Sequence, residues 1–193
     1  LQDLARRNVT NGAVVVLEPG SGRILTMVGS ATDGDPAHGG AINMALEPRQ
    51  PGSALKPLLY GAAFEHGYTA ATPLLDVPTT FSTNQGPYAP LNYDRRFHGV
   101  VPLRTALASS FNVPAVRTLD ALGLQALLEM AHRFGLTTLS DVESYGLSLT
   151  LGGGEVRLLD LTSAYSALAA GGELSHPYAV ARVRDQQGRM LVQ

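Results

Sequence analysis

Residues Gln50 to Tyr60 read Gln-Pro-Gly-Ser-Ala-Leu-Lys-Pro-Leu-Leu-Tyr, a Pro-Gly turn running into an apolar stretch of helical character. Ser53 and Lys56 stand three apart at its mouth, so on a helix they share a face and the hydroxyl can meet the amine. A neutral amine beside a hydroxyl takes its proton and leaves an oxygen able to attack a carbonyl. The choice of residue is informative. Of 14 Lys and Arg, thirteen are Arg and Lys56 is the only lysine. Arginine stays charged, whereas a desolvated lysine can serve as a base. Bringing a lysine from about 10.4 to near 7 takes roughly 4 kcal/mol from burial and nearby positive charge. The free N–H groups of a helix N-terminus supply part of that charge. With twelve serines in 193 residues, a lone lysine falls at Ser+3 about one time in sixteen, so the spacing needs support elsewhere in the chain.

Such a pair needs a second polar group to pass the proton to a leaving amine. Two Ser-x-Asn triplets exist, Ser82-Thr83-Asn84 and Ser110-Phe111-Asn112. The first sits in a loose proline-rich excursion. The second lies at a helix-to-helix junction between apolar residues that would hold it rigidly, as a catalytic group requires. Ser110 and Asn112 are therefore the candidates. Taken alone, Ser110 reads first as a cap of the helix that follows.

The elements that must position these residues follow from pattern. Leu1 to Val9 reads as a helical lead-in. Ala13 to Leu17 and Ile24 to Val28 read as a hairpin about the turn Pro19-Gly20-Ser21-Gly22. Gly29 to Arg49 reads as a loop, and a helix is expected from about Ser53 to His66 with Pro57 in its first turn. Ala70 to Gly99 carries prolines at 73, 78, 87 and 90 and reads as one long irregular excursion. Helices are expected over Pro102 to Ser109, Pro114 to Leu122, Leu124 to Phe134 and Val156 to Ala170. Leu147 to Leu151 reads as extended, and Gly152-Gly153-Gly154 as a flexible bend. Strands are expected over Tyr178 to Arg184 and Arg189 to Val192.

Composition excludes several classes. A net charge of −2 gives no support for nucleic-acid binding. With no cysteine, disulfide and thiolate chemistry are ruled out. The five histidines are scattered without ligand spacing, Asp33 and Asp35 are followed by no ligand series, and neither glycine cluster is a phosphate loop. No metal or cofactor is expected. No apolar run approaches a membrane span, and no signal peptide opens the chain. Any anchor or export signal is expected outside it.

The two boxes together resemble the transpeptidase domain of penicillin-binding proteins. Arg49-Gln50-Pro51-Gly52-Ser53-Ala54-Leu55-Lys56-Pro57 is similar to the family's first box, and Ser110-Phe111-Asn112-Val113-Pro114-Ala115-Val116 to its second. Gly152 to Val156, with the helix up to Gly172, is similar to class A, bifunctional members. Asn92-Tyr93-Asp94-Arg95-Arg96-Phe97-His98-Gly99 resembles the 1C subtype. The resemblance runs from about Asn11 to the end. It implies an α/β (α+β) fold of the serine β-lactamase/D,D-peptidase kind, in which an antiparallel sheet packs against helices and an all-helical subregion carries Ser-x-Asn. The family's third box, Lys-Thr-Gly, is absent: with Lys56 the sole lysine it cannot occur, and no Arg- or His-led version appears. Residues 1–193 are thus expected to be the N-terminal and central part of one such domain, cut before the strand that bears that box. Nucleophile and base are kept, part of the substrate cradle is not, and activity is expected of the full-length parent.

The resemblance implies roles. Ser53 attacks the carbonyl between the terminal D-alanines of a peptidoglycan stem peptide, Lys56 accepts its proton, Ser110 relays that proton to the departing D-alanine and Asn112 holds the peptide amide. β-Lactams are expected to acylate Ser53. The implied setting is the periplasmic face of the inner membrane, with an N-terminal glycosyltransferase domain and a membrane anchor outside this chain. Rival readings are a D,D-carboxypeptidase or β-lactamase-like hydrolase, and a non-catalytic penicillin-binding scaffold or sensor. None of the seven glutamates has Asn at +4, which argues against a class A β-lactamase.

Overall fold

The computed structural model describes residues 7, 9–84, 86–140 and 142–192. In chain order its strands and α-helices are β1 (Val14–Leu17), β2 (Ile24–Val28), α1 (Lys56–Glu65), β3 (Pro73–Asp76), β4 (Phe81–Thr83), β5 (Gly86–Tyr88), β6 (Gly99–Pro102), α2 (Leu103–Ala108), α3 (Asn112–Leu122), α4 (Leu124–Arg133), α5 (Leu158–Ala169), β7 (Val183–Arg184) and β8 (Met190–Val192). Short 3₁₀ turns cover Pro36–His38, Gly52–Leu55, Val142–Ser144 and Leu147–Leu151. The strands pair antiparallel as β1-β2, β3-β6, β4-β5 and β7-β8. The architecture is α+β, as the resemblance implies.

The chain divides into two compact units. One comprises Leu1–Pro48, Phe134–Leu136 and Val156–Gln193. In it the β1-β2 hairpin, whose register shifts between Val16 and Leu17, packs against α5. Tyr178 adds a single parallel bridge to Arg23. The strand expected over Tyr178 to Arg184 is thus reduced to Val183–Arg184 plus that bridge. The lead-in helix expected over Leu1 to Val9 lies mostly outside the described residues.

The second unit comprises Arg49–Arg133 and Thr137–Glu155. Its centre is α1, which touches α2, α3 and α4. Leu58, Leu59, Tyr60, Ala62 and Ala63 are all buried. A helix apolar on nearly every side belongs inside, and each fully buried leucine contributes about 1.5–3 kcal/mol. From α3 come Val113, Ala115, Val116 and Leu119, and from α4 Leu127, Leu128 and Ala131. The first box therefore opens into the most enclosed helix of this unit, and the second box begins α3 beside it.

Three expectations are corrected here. Ala70 to Gly99 is not one irregular excursion, since it holds β3, β4 and β5 and leads into β6. Among the described residues each of these strands pairs with one other, so Pro73, Pro87 and Pro102 lie in two-stranded ribbons, where proline is tolerated. Leu147–Leu151 is a 3₁₀ turn with Leu149 and Thr150 buried, not an extended segment; so short an apolar run carries no decisive period. Gly152-Gly153-Gly154 does bend the chain, as expected, but it is closely packed, not loose. A methyl group on Gly152, whose φ is +87°, would stand 2.1 Å from Gly52 N and 2.3 Å from Gly52 Cα. Two backbones touch there, directly before Ser53.

Candidate active site

Gly52–Leu55 forms a 3₁₀ turn that passes into α1 at Lys56, with Lys56 N–H donating to Ser53 O. In 3₁₀ geometry residues i and i+3 eclipse, so Ser53 and Lys56 lie in one column. The serine side chain is on the exposed side and the lysine is fully buried. Burial pushes the Lys56 amine down to about 8.

The buried amine is not left without partners. Lys56 Nζ donates to Ser110 O at 2.6 Å and to Asn112 Oδ1 at 2.7 Å, and lies 3.1 Å from Ser110 Oγ. Two of these partners can only accept, and the third is a hydroxyl that can accept or donate. An ammonium finds three acceptors. A neutral amine keeps two of them and offers its lone pair to the Ser110 O–H. The cage thus suits both protonation states, which is what a group that must gain and lose a proton requires. Three of the four sequence candidates, Lys56, Ser110 and Asn112, are brought together. Ser53 sits one turn away, and among the described residues its hydroxyl makes no hydrogen bond.

Ser110 has φ of 54°, in the left-handed region. Ser110 N donates to Leu107 O at 3.0 Å and Phe111 N to Ala106 O at 2.9 Å. These two bonds close α2 as a Schellman motif, in which the position of Ser110 is usually glycine. A side chain there costs of order 1 kcal/mol or more. Ser110 does not cap α3, contrary to the structural reading of it from sequence. That cap comes from a distant residue: Asn92 Oδ1 accepts from Asn112 N at 2.8 Å and from Val113 N at 3.3 Å. The Asn112 carboxamide is oriented by Nδ2 donating to Leu91 O at 2.8 Å, which leaves Oδ1 for the lysine.

The other triplet plays no part here. Ser82 and Thr83 lie in β4, and Ser82, Thr83 and Asn84 line a groove of about 560 Å³ with Tyr88, Asp120 and Tyr145 among its walls. Sequence reasoning missed Asn92, Asp76, His98 and Gly152. In the sequence, Asn92 and His98 stand out only as part of a subtype-like stretch, and Gly152 only in a glycine bend and a class A-like stretch. Asp76 carried no signal: it is one acidic residue in a proline-rich segment, and its partners are 16 and 22 residues away.

A helical unit with an enclosed lysine gripping a Ser-x-Asn turn thus holds the two boxes side by side. The family pattern described as penicillin binding protein transpeptidase domain matches residues 12–192, and the chain belongs to that family. Among its relatives, penicillin-binding protein 1A of Pseudomonas aeruginosa is 33% identical over 183 residues, covering 94% of this chain and 22% of the relative. Penicillin-binding protein 1A of Neisseria lactamica is 34% identical over 186 residues, covering 94% and 23%. These relatives carry the 1A designation rather than the 1C subtype that Asn92 to Gly99 resembles. The chain spans less than a quarter of their length. Of solved structures, penicillin-binding protein 1A from Haemophilus influenzae superposes with a TM-score of 0.82 at 30% identity, over 94% of this chain and 27% of that one. Penicillin-binding protein A from M. tuberculosis, as a ceftriaxone acyl-enzyme complex, gives 0.80 at 25% identity, over 94% and 50%. The fold is accordingly that of the penicillin-binding transpeptidase domains. Among the described residues no helix is long and apolar enough to cross a membrane.

Proposed function

We propose that this chain is the N-terminal and central part of a serine D,D-transpeptidase domain that cross-links peptidoglycan stem peptides and is acylated by β-lactams. The observation that carries the reading is the enclosed Lys56 amine, pushed down to about 8 by burial and held by Ser110 O, Ser110 Oγ and Asn112 Oδ1. Ser53 Oγ attacks the carbonyl of the penultimate D-alanine. A rotation about the Ser53 side-chain torsion brings the hydroxyl from its exposed position to the neutral Lys56 amine, which takes the proton. The Ser53 N–H donates to the oxyanion, a contact typically worth about 3–4 kcal/mol in the transition state. As the C–N bond breaks, Ser110 passes a proton from Lys56 to the departing D-alanine nitrogen, and the second Nδ2 hydrogen of Asn112 holds the carbonyl of the donor peptide amide. An amine of a second stem peptide then takes the acyl group from Ser53, and its lost proton returns along the same path.

The absence of Lys-Thr-Gly among 193 residues, and the chain's coverage of under a quarter of its relatives, support placing that box further along the same polypeptide. An N-terminal glycosyltransferase domain, a membrane anchor and a periplasmic location belong to the same proposal. β-Lactam acylation draws support from the ceftriaxone acyl-enzyme of the M. tuberculosis neighbour. Intact-protein mass spectrometry of the full-length protein after penicillin exposure tests the site. One acyl adduct on Ser53 is expected, and none on Ser53→Ala. An adduct that persists on Ser53→Ala removes the assignment. Product analysis with an amine acceptor separates transfer from the hydrolysis that a carboxypeptidase would give, and a protein that is never acylated would be a scaffold.

A further inference from the structure

A single buried carboxylate organises both flanks of Ser110-Phe111-Asn112. Asp76, the last residue of β3, is fully buried, and among the described residues no lysine or arginine lies within ion-pair distance of it. A charge in that position must be satisfied by hydrogen bonds. The donors come from the stretch between β5 and β6. Asn92 Nδ2 lies 2.8 Å from each Asp76 oxygen, His98 N lies 3.0 Å from Oδ2, and His98 Nδ1 lies 2.6 Å from Oδ2.

Each of those two residues then acts on the second box. Asn92, itself buried, turns its carbonyl to the N–H groups of Asn112 and Val113 and so caps α3. His98 lays its ring on Phe111, with centroids 4.1 Å apart and planes 15° from parallel. Its other ring nitrogen is 3.1 Å from Asp94 Oδ2. One carboxylate thus fixes the backbone of Asn112 from one side and the ring of Phe111 from the other. Ser110 stands next to both in a left-handed conformation that an L side chain adopts only when its surroundings over-determine it.

We propose that Asp76, acting through Asn92 and His98, is a positioning residue for proton transfer at Lys56: it locks the Ser110 hydroxyl and the Asn112 carboxamide where they meet the amine. This rests on the reading of Ser53 and Lys56 as nucleophile and base. In Asp76→Asn one of the two acceptor oxygens becomes an NH₂ donor, so the Asn92 amide and the His98 N–H groups are left to share a single acceptor. The N-terminus of α3 loses its cap, and the turn at Ser110 gains freedom to leave the amine. A displacement of about 1 Å at a reacting group is enough to cost roughly 10²-fold in rate.

The test uses the full-length protein and a fluorescent penicillin, with the limiting acylation rate and the half-saturating concentration measured separately. Asp76→Asn and Asn92→Asp are each expected to lower the limiting rate at least about tenfold while the half-saturating concentration stays within about threefold, because positioning and not docking is lost. The double variant Asp76→Asn/Asn92→Asp exchanges acid and amide. The carboxylate at position 92 accepts from the Asn112 and Val113 N–H groups, and the amide at position 76 donates to it while accepting from His98; only Arg96 O, to which Asn92 Nδ2 also donates at 2.8 Å, loses its donor. The limiting rate should exceed that of the slower single variant by at least about threefold. Singles that acylate at the parental rate, or a double no faster than the slower single, overturn the proposal. Should either single fail to fold, His98→Ala carries the test at a side chain 31% exposed. A lowered limiting rate is expected there, and an unchanged rate overturns the proposal. Persistent acylation of Ser53→Ala would instead defeat the nucleophile assignment, which keeps the two failures apart.

Discussion

The protonation of Lys56 gives the sharpest test, through the pH dependence of Ser53 acylation. Burial brings the amine from its ordinary 10.5 to about 8. A drop of that size corresponds to about 3 kcal/mol of hydration lost by the ammonium. Only the neutral amine can take the serine proton, so the acylation rate should follow the neutral fraction. That fraction rises about tenfold between pH 7 and 9 and levels off above 8. A solvated lysine would give nearly a hundredfold rise over the same interval and no bend before about pH 10. The two profiles differ in shape as well as in size, so absolute rates are not needed. The assay is stopped-flow acylation of the full-length protein by a fluorescent penicillin from pH 6 to 10.5. Lys56→Arg serves as the control, because arginine does not deprotonate. That variant should lose about 10²- to 10⁴-fold in rate and lose the bend. A flat profile between pH 6 and 9, or unit slope continuing past pH 10, would refute the reasoning from burial.

The remaining predictions follow from the same geometry. Stability should rise by about 1 kcal/mol between pH 7 and 9 in the parent but not in Lys56→Met, when urea unfolding of the two is compared. The sign follows from a folded-state value that lies below the unfolded one: the penalty for burying the ammonium is complete below pH 8, and it is relieved as the folded protein loses a proton that the unfolded chain keeps to about 10.4. Ser110→Gly should be more stable than Ser110→Ala by about 1 kcal/mol, since both lack the hydroxyl and only alanine retains the left-handed strain; equal melting temperatures would contradict the Schellman assignment. Gly152→Ala should lower stability by more than about 3 kcal/mol or prevent folding, because the new methyl meets the Gly52 backbone and no side chain can move aside. Arg133→Ala should cost under about 1 kcal/mol despite its 2.7 Å pair with Glu65, because both side chains are more than half exposed.

Helix placement was the most legible part of the chain. α1 reads as an unbroken apolar run, α3 and α4 follow apolar periodicity, and they end where glycine or a following loop ends them; the β1-β2 hairpin lies where the strand-turn-strand pattern puts it. The short ribbons β3-β6 and β4-β5 were not legible, since three- and four-residue strands rich in proline give no period to read. At the site, residue type and spacing pointed to Lys56, Ser110 and Asn112 because each carries an unusual feature in the linear chain: a lone lysine and a Ser-x-Asn between helices. Asp76 and Asn92 carry none. Their importance lies in being buried together and in where their hydrogen bonds lead, and neither property exists before the chain has folded. The same is true of Gly152, whose contact with Gly52 spans a hundred residues.

The spacing of Ser53 and Lys56 predicted a direct pair, and the structure instead ties the amine to the second box. The difference has a physical cause. A lysine at the first position of an enclosed helix must be desolvated, and a desolvated ammonium needs acceptors at once, in the resting protein, whether or not a substrate is present. The exposed Ser53 hydroxyl cannot be counted on for that, since water competes for it. The carbonyl of Ser110 can be, because the Schellman turn that closes α2 directs it inward, and so can Asn112 Oδ1, because the other end of that amide is held by Leu91 O. The price of keeping those acceptors in place is the strained conformation of Ser110 and the buried charge of Asp76. Under the proposed role of Asp76, two unfavourable features far apart in sequence have one explanation: both hold the surroundings of a lysine poised between charged and neutral. If Asp76 were neutralised and the Lys56 surroundings did not change, the two features would be unrelated and the strain at Ser110 would be without a purpose.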